Sequence, residues 1–458
     1  MLDYEEARNV FLIFWSFASD FQSWKLDKER NRVDNAWFEV RKSGPLTGEV
    51  TIPGAKNSAL ALVAAGCLTD EIITLHDIPA IRDILLIKDI AEDIGLNMKE
   101  IEKNTYELTG RHITSGKLDL AKTSDFRASY YFVGALLHKV KTVQIGYPGG
   151  DDFGSRPIDQ HVKALSALGA AFDFKQQYYE VTCEKLTGAE ITFDVITSGA
   201  TINAMLAAVK AEGRTTLHNA AKDPEVVDLA NLLNLMGAKI KGAGTEKITI
   251  DGVESLHGGI EHTVIPDRLI AGAFLMAAGV TNGRITVKNV IPEHLASCTN
   301  KLIELGMTIT EDDDSMTASG TALQGTRIQT GMYPELATDL QQPLTTLLTL
   351  AAGPSTILDK VYPNRNGHVG ELKKLGADID VVEHQIVING GAKLKGATVK
   401  AHDVRAGTSL ILAGLAADGM TKITDVKHIQ RGYEDIVGLF TQLGADITLH
   451  QPEHQVQH

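Results

Sequence analysis

The chain has 458 residues, 43% hydrophobic and 22% charged, enough apolar material for two or three domains with sizeable cores. Its formal net charge of −14 excludes a broadly basic surface for nucleic acid or an anionic membrane. An anionic ligand must therefore be gripped by a few focused cations.

Reading from the N-terminus, the run FLIFWSFA is too short to cross a bilayer, which needs roughly 20 apolar residues. Acidic residues precede it, unlike the basic start of a secretion signal, so residues 1–35 read as an N-terminal extension, an extra helix at most. Cys67, Cys183 and Cys298 are far apart and show no metal-binding spacing. They read as reduced packing residues of a cytoplasmic protein, with no metal site.

Beyond the extension a unit of roughly 70 residues recurs six times. An apolar-Gly pair closes a helical segment at Gly95, Gly169, Gly237, Gly306, Gly376 and Gly444. Glycine takes the left-handed conformation that ends a helix, and a β-like run follows each time. A second strand-like element recurs in IITLHDI, TVQIGY, TTLHNA, ITVKNV, TILDKV and TKITDV. Small-residue helical runs (SALALVAAG, ATINAMLAAV, LIAGAFLMAAG, SLILAGLAA) precede several of these and are apolar on nearly all faces, the signature of buried helices. The expected architecture is α/β, with strands wrapped around buried helices and six units in two groups of three. A solenoid that only binds is the bland alternative. Against it stand the long intervals and the polar residues clustered in the insertions.

Those polar residues follow in chain order. Lys56 and Asn57 lie where TGEVTIPGA gives way to a helical run, and free amides there favour an anion. A cap with a solvated lysine would look the same. Arg127 opens the apolar helix of FRASYYFVGALL, where its charge opposes the helix dipole and needs a partner or an anionic ligand. GYPGGDDFGSRPIDQH then combines mobile glycines with Asp151, Asp152, Arg156, Pro157, Asp159 and His161. Arg156 and Pro157 offer a guanidinium plane beside a rigid ring, suited to a flat heterocycle. Thr197, Ser198 and Gly199 precede another apolar helix, as either an ordinary N-cap or a diphosphate cradle. Asp339 stands just ahead of a helix in YPELATDLQQPL, and the cations Arg365, Arg405 (with Asp403 beside it) and Arg431 stand at equivalent places in different repeats. Several cations around one small substrate fit a phosphate and a carboxylate, with Asp339 as a candidate base.

The motifs GEVTIPGAKNSAL, FRAS, PGGDDFGSRPIDQH, SGAT, PEVVD, PDR, TDLQ, NR, DVRAGTSLILAG and RGYE together resemble the UDP-N-acetylglucosamine enolpyruvyl transferases of bacterial peptidoglycan synthesis, over about residues 38–449. The resemblance implies an inside-out α/β barrel of two domains, each of three βαβαββ units, with the active site in the cleft between them. One domain would comprise 36–55 plus 266–449, the other 56–265 with a mobile loop at 146–157, leaving a tail at 450–458. It implies transfer of the enolpyruvyl group of phosphoenolpyruvate to the 3′-hydroxyl of UDP-N-acetylglucosamine, without cofactor or metal. By the same resemblance Lys56, Arg156 and Arg431 hold the phosphate, and Arg365, Arg405 and Arg431 steady the carboxylate. Asn57 and Asp339 meet the sugar, Arg156, Pro157 and Asp159 seat the uracil, and Thr197, Ser198 and Gly199 the diphosphate. Arg127 supports the closed loop, and Asp403, in the matched DVRAG segment, joins the substrate-binding residues. Three departures stand out. Asp151 occupies the position where most of the family has cysteine, which implies insensitivity to the epoxide fosfomycin. Tyr362 and Pro363 replace a frequent Phe-Glu pair before Asn364 and Arg365, and Gln430 replaces a common acid before Arg431. A related transferase with another acceptor and a silent UDP-sugar sensor are the competing readings.

Overall fold

The computed structural model describes residues 36–149 and 157–451. The segment 1–35, most of the tail, and the loop positions Asp151, Asp152 and Arg156 lie outside the described residues. The described residues form two compact units, one of 54–149 with 157–265 and the other of 36–53 with 266–451.

All six repeat glycines have positive φ, at 92, 103, 98, 102, 92 and 95° in chain order. An L-residue adopts that conformation only with strain, which is why glycine recurs there. Each of the six recurring strand-like runs is a strand: Ile73–His76, Thr142–Gly146, Arg214–His218, Arg284–Lys288, Ser355–Asp359 and Met420–Thr424. A regularity that the glycine pattern does not reveal follows four of them. Asp77, Asn219, Asn289 and Asp425 turn the chain in the left-handed region, with φ of 55–59°. Asn and Asp tolerate that region because their short side chains bond locally, as Asn289 Nδ2 does to the carbonyl of Ile52 at 2.8 Å.

Among the described residues the six strands belong to six sheets, three per unit. In the sheet of Arg284–Lys288, Thr47–Thr51 pairs parallel on one side and Ser315–Ser319 antiparallel on the other, with Thr308–Glu311 outside. The sheets of Ile73–His76 and Arg214–His218 repeat this order. The ends of each unit are tied by borrowed strands. Ile260–Thr263, from the end of the first unit, pairs parallel with Ile73–His76 at its beginning. In the second unit Trp37–Arg41 inserts between Met420–Thr424 and Asp446–His450, the last strands of the chain. Both closures give an edge strand a hydrogen-bonded partner.

Inside each set of sheets lie helices with no polar face. Leu269–Thr281 is buried without interruption in the helix Arg268–Thr281, and the same holds for Val404–Leu415 in Val404–Ala416. The helices Lys56–Ala65, Tyr131–Leu136 and Ser198–Ala208 form the corresponding core of the first unit, and Thr338–Leu350 completes that of the second. Each fully buried Leu or Ile contributes roughly 2 kcal/mol. Among the described residues no helix is long and apolar enough to cross a membrane.

The glycine turns differ in what surrounds them. A Cβ at Gly444 would meet nothing within 4 Å, whereas one at Gly95 would run into the carbonyl of His112. Gly444→Ala is therefore expected to cost about 1 kcal/mol, from backbone strain alone. Gly95→Ala should cost distinctly more. Denaturant midpoints of the two variants check this, and equal losses would contradict it.

Candidate functional site

A helix buried along its length can present polar groups only at its ends. The sequence-predicted residues of the described chain concentrate at such ends, in each unit separately.

In the second unit Asp339 lies in the first turn of Thr338–Leu350, one step further into the helix than the sequence reading placed it. Four residues on, Pro343 has no amide proton, so the helix ladder does not use the carbonyl of Asp339. Thr338 Oγ1 donates to Asp359 Oδ2 at 2.6 Å, and Asp359 Oδ1 accepts the amides of Val361 and Tyr362, both at 2.9 Å. Asp359 thereby fixes the turn that carries Arg365. Arg365 donates through Nη1 to Asp339 Oδ1 at 2.5 Å and through Nη2 to Asp403 Oδ1 at 3.2 Å. Arg405 Nε reaches the other oxygen of Asp339 at 3.2 Å. Asp403 is the N-cap of Val404–Ala416 and accepts the amides of Arg405 and Ala406 at 2.7 and 3.1 Å. Gln342 Nε2 adds a bond to Asp403 Oδ2 at 3.1 Å.

Both arginines are only 5% exposed, while the Asp339 side chain keeps 27% of its surface open. Burial works against the Arg365 charge, but the Asp339 and Asp403 carboxylates outweigh it and hold its pKa well above the ordinary value. Arg405 is raised in the same way: burial opposes its charge, and Asp339 and then Asp267 outweigh that. Burial likewise works against the Asp403 carboxylate, and Arg365, Gln342 and the helix amides more than compensate, so its pKa lies below the usual range. Arg431 follows the short helix Lys427–Gln430 and is half-buried. Of the departures, Pro363 is exposed, and Tyr362 and Gln430 are half-buried.

In the first unit Lys56 and Asn57 begin the helix Lys56–Ala65, with no side chain capping it. Lys56 Nζ donates to the buried carboxylate of Asp83 at 3.0 Å, and Asn57 is exposed. Arg127 starts a 3₁₀ turn ahead of Tyr131–Leu136, so its charge does not sit on the α-helix itself. Its Nη2 donates to the carbonyl of Pro157 at 3.3 Å, and its guanidinium lies 5.4 Å from the Tyr130 ring centroid. Asp159 begins Asp159–Ala167 and accepts from Gln160 Nε2 at 2.8 Å. Thr197 caps Ser198–Ala208, its hydroxyl accepting the amide of Ala200 at 3.4 Å, and Ser198 Oγ donates to Asp223 at 2.9 Å. Gly199 is required by close approach: a Cβ there would lie 2.6 Å from the Tyr130 hydroxyl and 3.3 Å from His161 Nε2. The structure thus brings Arg127 and Pro157 together, with Gly199 packed against Tyr130. It ties Lys56 to Asp83, a partner with no sequence signal.

The cysteines offer no alternative nucleophile. Cys67 and Cys298 are buried, and burial pushes both thiols up to about 12, far from the thiolate form. Cys183 is raised in the same direction, again chiefly by burial. Two histidines near the candidate residues, His161 and His368, are held neutral. Burial, and then Arg127, brings His161 down to about 3; burial also brings His368 to about 3, against the opposing pull of Asp403.

The unfolded chain binds protons at these histidines below about pH 6.5, whereas the native state resists them until about pH 3. Stability is therefore complete above pH 6.5 and falls as pH drops, by about 2 kcal/mol per histidine at pH 5. His161→Asn and His368→Asn should each flatten the decline in denaturant midpoint between pH 7 and pH 5, and an unchanged slope would contradict this.

Comparison with known proteins places the chain. The family model described as EPSP synthase (3-phosphoshikimate 1-carboxyvinyltransferase) matches residues 40–440. A relative from Bacillus cereus, named UDP-N-acetylglucosamine 1-carboxyvinyltransferase 2, is 45% identical over 411 residues, covering 90% of this chain and 96% of its own. One of the same name from Streptococcus thermophilus is 46% identical over 408 residues, 88% of this chain and 97% of its own. Among solved structures, the enolpyruvyl transferase NikO from Streptomyces tendae matches with a TM-score of 0.82 at 24% identity, covering 91% of this chain and 99% of its own. EPSP synthase from Acinetobacter baumannii matches with 0.68 at 18% identity, over 91% and 100%. These likenesses give the fold, the inside-out α/β architecture of the enolpyruvyl transferases. The chain belongs to the EPSP synthase family, and within it to the group of the UDP-N-acetylglucosamine 1-carboxyvinyltransferases.

Proposed function

We propose that the protein transfers the enolpyruvyl group of phosphoenolpyruvate to the 3′-hydroxyl of UDP-N-acetylglucosamine and releases inorganic phosphate, the committing step toward peptidoglycan precursors. The observation that carries this reading is the 45–46% identity to relatives of that name over nearly the whole chain. A cytoplasmic location belongs to the same reading and agrees with three buried free thiols.

The reaction is addition followed by elimination. A proton goes to the vinyl carbon of phosphoenolpyruvate while the sugar oxygen bonds to the adjacent carbon and its own proton leaves. The tetrahedral ketal then expels phosphate and returns the methyl proton to restore the double bond. Asp339 is the proposed base toward the hydroxyl. Its two arginine partners hold it in place.

Lys56, Arg156 and Arg431 would hold the phosphate, and Arg365, Arg405 and Arg431 the carboxylate. Buried cations fixed before the substrate arrives need no rearrangement to meet developing charge. Asn57 would meet the sugar, Arg156, Pro157 and Asp159 the uracil, and Thr197, Ser198 and Gly199 the diphosphate, aided by the helix amides. Asp403 orients Arg365. Asp151 would serve as the general acid, desolvated when its glycine-rich segment covers the substrate.

The test is phosphate release with both substrates. The wild type should release phosphate only when both are present, and Asp339→Ala and Asp151→Ala should each lose at least about 100-fold in kcat, in line with removal of an acid or base. No release by the wild type, or full activity in both variants, overturns the reading.

A carboxylate is a far poorer nucleophile toward an epoxide than a thiolate. Incubation with fosfomycin should leave intact mass and activity unchanged, while Asp151→Cys should gain a covalent adduct. An adduct on the wild type with loss of activity would refute the assignment at Asp151.

A further inference from the structure

The PEVVD motif has no part in the reaction as derived so far. Its last residue, Asp228, lies on the helix Pro224–Leu235 and is 2% exposed. One of its oxygens accepts the hydroxyl of Ser58, a side chain with no exposed surface, and at 3.4 Å the amide of Ile265. The other lies 2.7 Å from His262 Nε2 on the strand Ile260–Thr263. The carbonyl of Ile265 in turn accepts the amide of Ala55 at 2.7 Å. Ala55 and Ile265 stand beside the two places where the chain passes from one unit to the other, at 53–54 and 265–266. One buried carboxylate therefore joins both passages to each other and to the helix turn that carries Lys56 and Asn57.

Two side chains fix that turn: Lys56, through Asp83 at 3.0 Å, and Ser58, through Asp228. Its N-cap is Ala55, which supplies no side-chain bond, and Asn57 is exposed. Ser58 is the one polar side chain of the first turn that is wholly buried, and its bond goes to Asp228. Keeping a carboxylate this deeply buried is costly unless it is bonded on all sides, and here the bonds converge on one backbone junction.

We propose that Asp228 is a positioning residue for this reaction, acting through Ser58 and Ile265 to hold the Lys56–Asn57 turn where it meets phosphoenolpyruvate. It touches no substrate. This inference rests on the proposed role of Lys56. A misplacement of about 1 Å is enough to cost on the order of 100-fold in rate.

Ser58→Ala removes one arm of the junction and Asp228→Asn keeps its shape without its charge. Each should lower kcat/KM for phosphoenolpyruvate at least about tenfold, and the double variant should lose little more than the worse single one, since the Ser58 arm runs through Asp228. Affinity for UDP, measured by calorimetry, should stay within about twofold of wild type, because its proposed contacts at 157–159 and 197–199 make no bond to the junction. Ser58→Ala deletes a single oxygen and keeps the test open if Asp228→Asn does not fold. Unchanged kcat/KM in a folded Ser58→Ala protein, or an equal loss of UDP affinity, overturns the inference. A wild type that releases no phosphate would instead overturn the function on which it rests.

Discussion

The constraint from which the rest follows is the burial of helices that have no polar side. Runs such as Leu269–Thr281 and Val404–Leu415 offer water nothing, so sheets must cover them all round. One repeat supplies too little sheet for that, and three are joined in each unit. Charged chemistry is then excluded from the helix flanks and confined to the ends. N-terminal ends carry unpaired amides and positive dipole, so the available places already favour anions. Lys56, Arg127, Ser198, Arg268, Asp339 and Arg405 all stand in or just before the first turns of the six core helices. The fold restricts where a site for a doubly charged anion can be before any catalytic residue is specified.

Holding cations at those ends raises an electrostatic problem that the sequence answers with aspartate. The buried aspartates of the described chain are Asp83, Asp223, Asp228, Asp267, Asp359 and Asp403. Each bonds to a core-helix first turn: Asp83 to Lys56, Asp228 to Ser58, Asp223 to Ser198, Asp359 to Thr338, and Asp267 and Asp403 as caps. A desolvated guanidinium without such a partner would be severely unfavourable, and with one it stands ready at fixed geometry. Part of the excess acidity of the chain is therefore internal counter-charge. Asp83 and Asp403 are spent in this way, on Lys56 and Arg365.

Much of this was legible in the sequence because it is local. A glycine that must take positive φ and a strand that must follow it leave a pattern within six residues, and repetition at one interval separates that pattern from chance. The helix starts were legible for the same reason, as polar residues abutting small-residue runs. Partners were not. Arg365 bonds to Asp339 and Asp403 from 26 and 38 residues away, and Asp228 to Ser58 from 170. No periodicity encodes such distances. The reading that listed Asp403 among the substrate contacts saw its charge, but its role as helix cap and arginine partner needs the tertiary structure. Asp77, Asn219, Asn289 and Asp425 are a different case. Their signal was present at fixed offset after four strands, and it was hidden because Asp and Asn look like ordinary turn residues.

The two units reach closure by different routes. The first unit is built from one nearly continuous stretch, and its closing strand Ile260–Thr263 emerges as that stretch ends. The second needs Trp37–Arg41 and Thr47–Thr51 from the start of the chain to pair with Met420–Thr424, Asp446–His450 and Arg284–Lys288. Bringing such distant segments together costs more chain entropy, though only logarithmically in loop length. Asp339, Arg365, Asp403 and Arg405 all belong to this second unit, and their ion pairs link segments only 26 to 66 residues apart. The Lys56 turn belongs to the unit that closes on its own, yet it begins where the chain leaves those borrowed strands. Asp228, joined to both passages, lies at the point where the two routes are covalently linked.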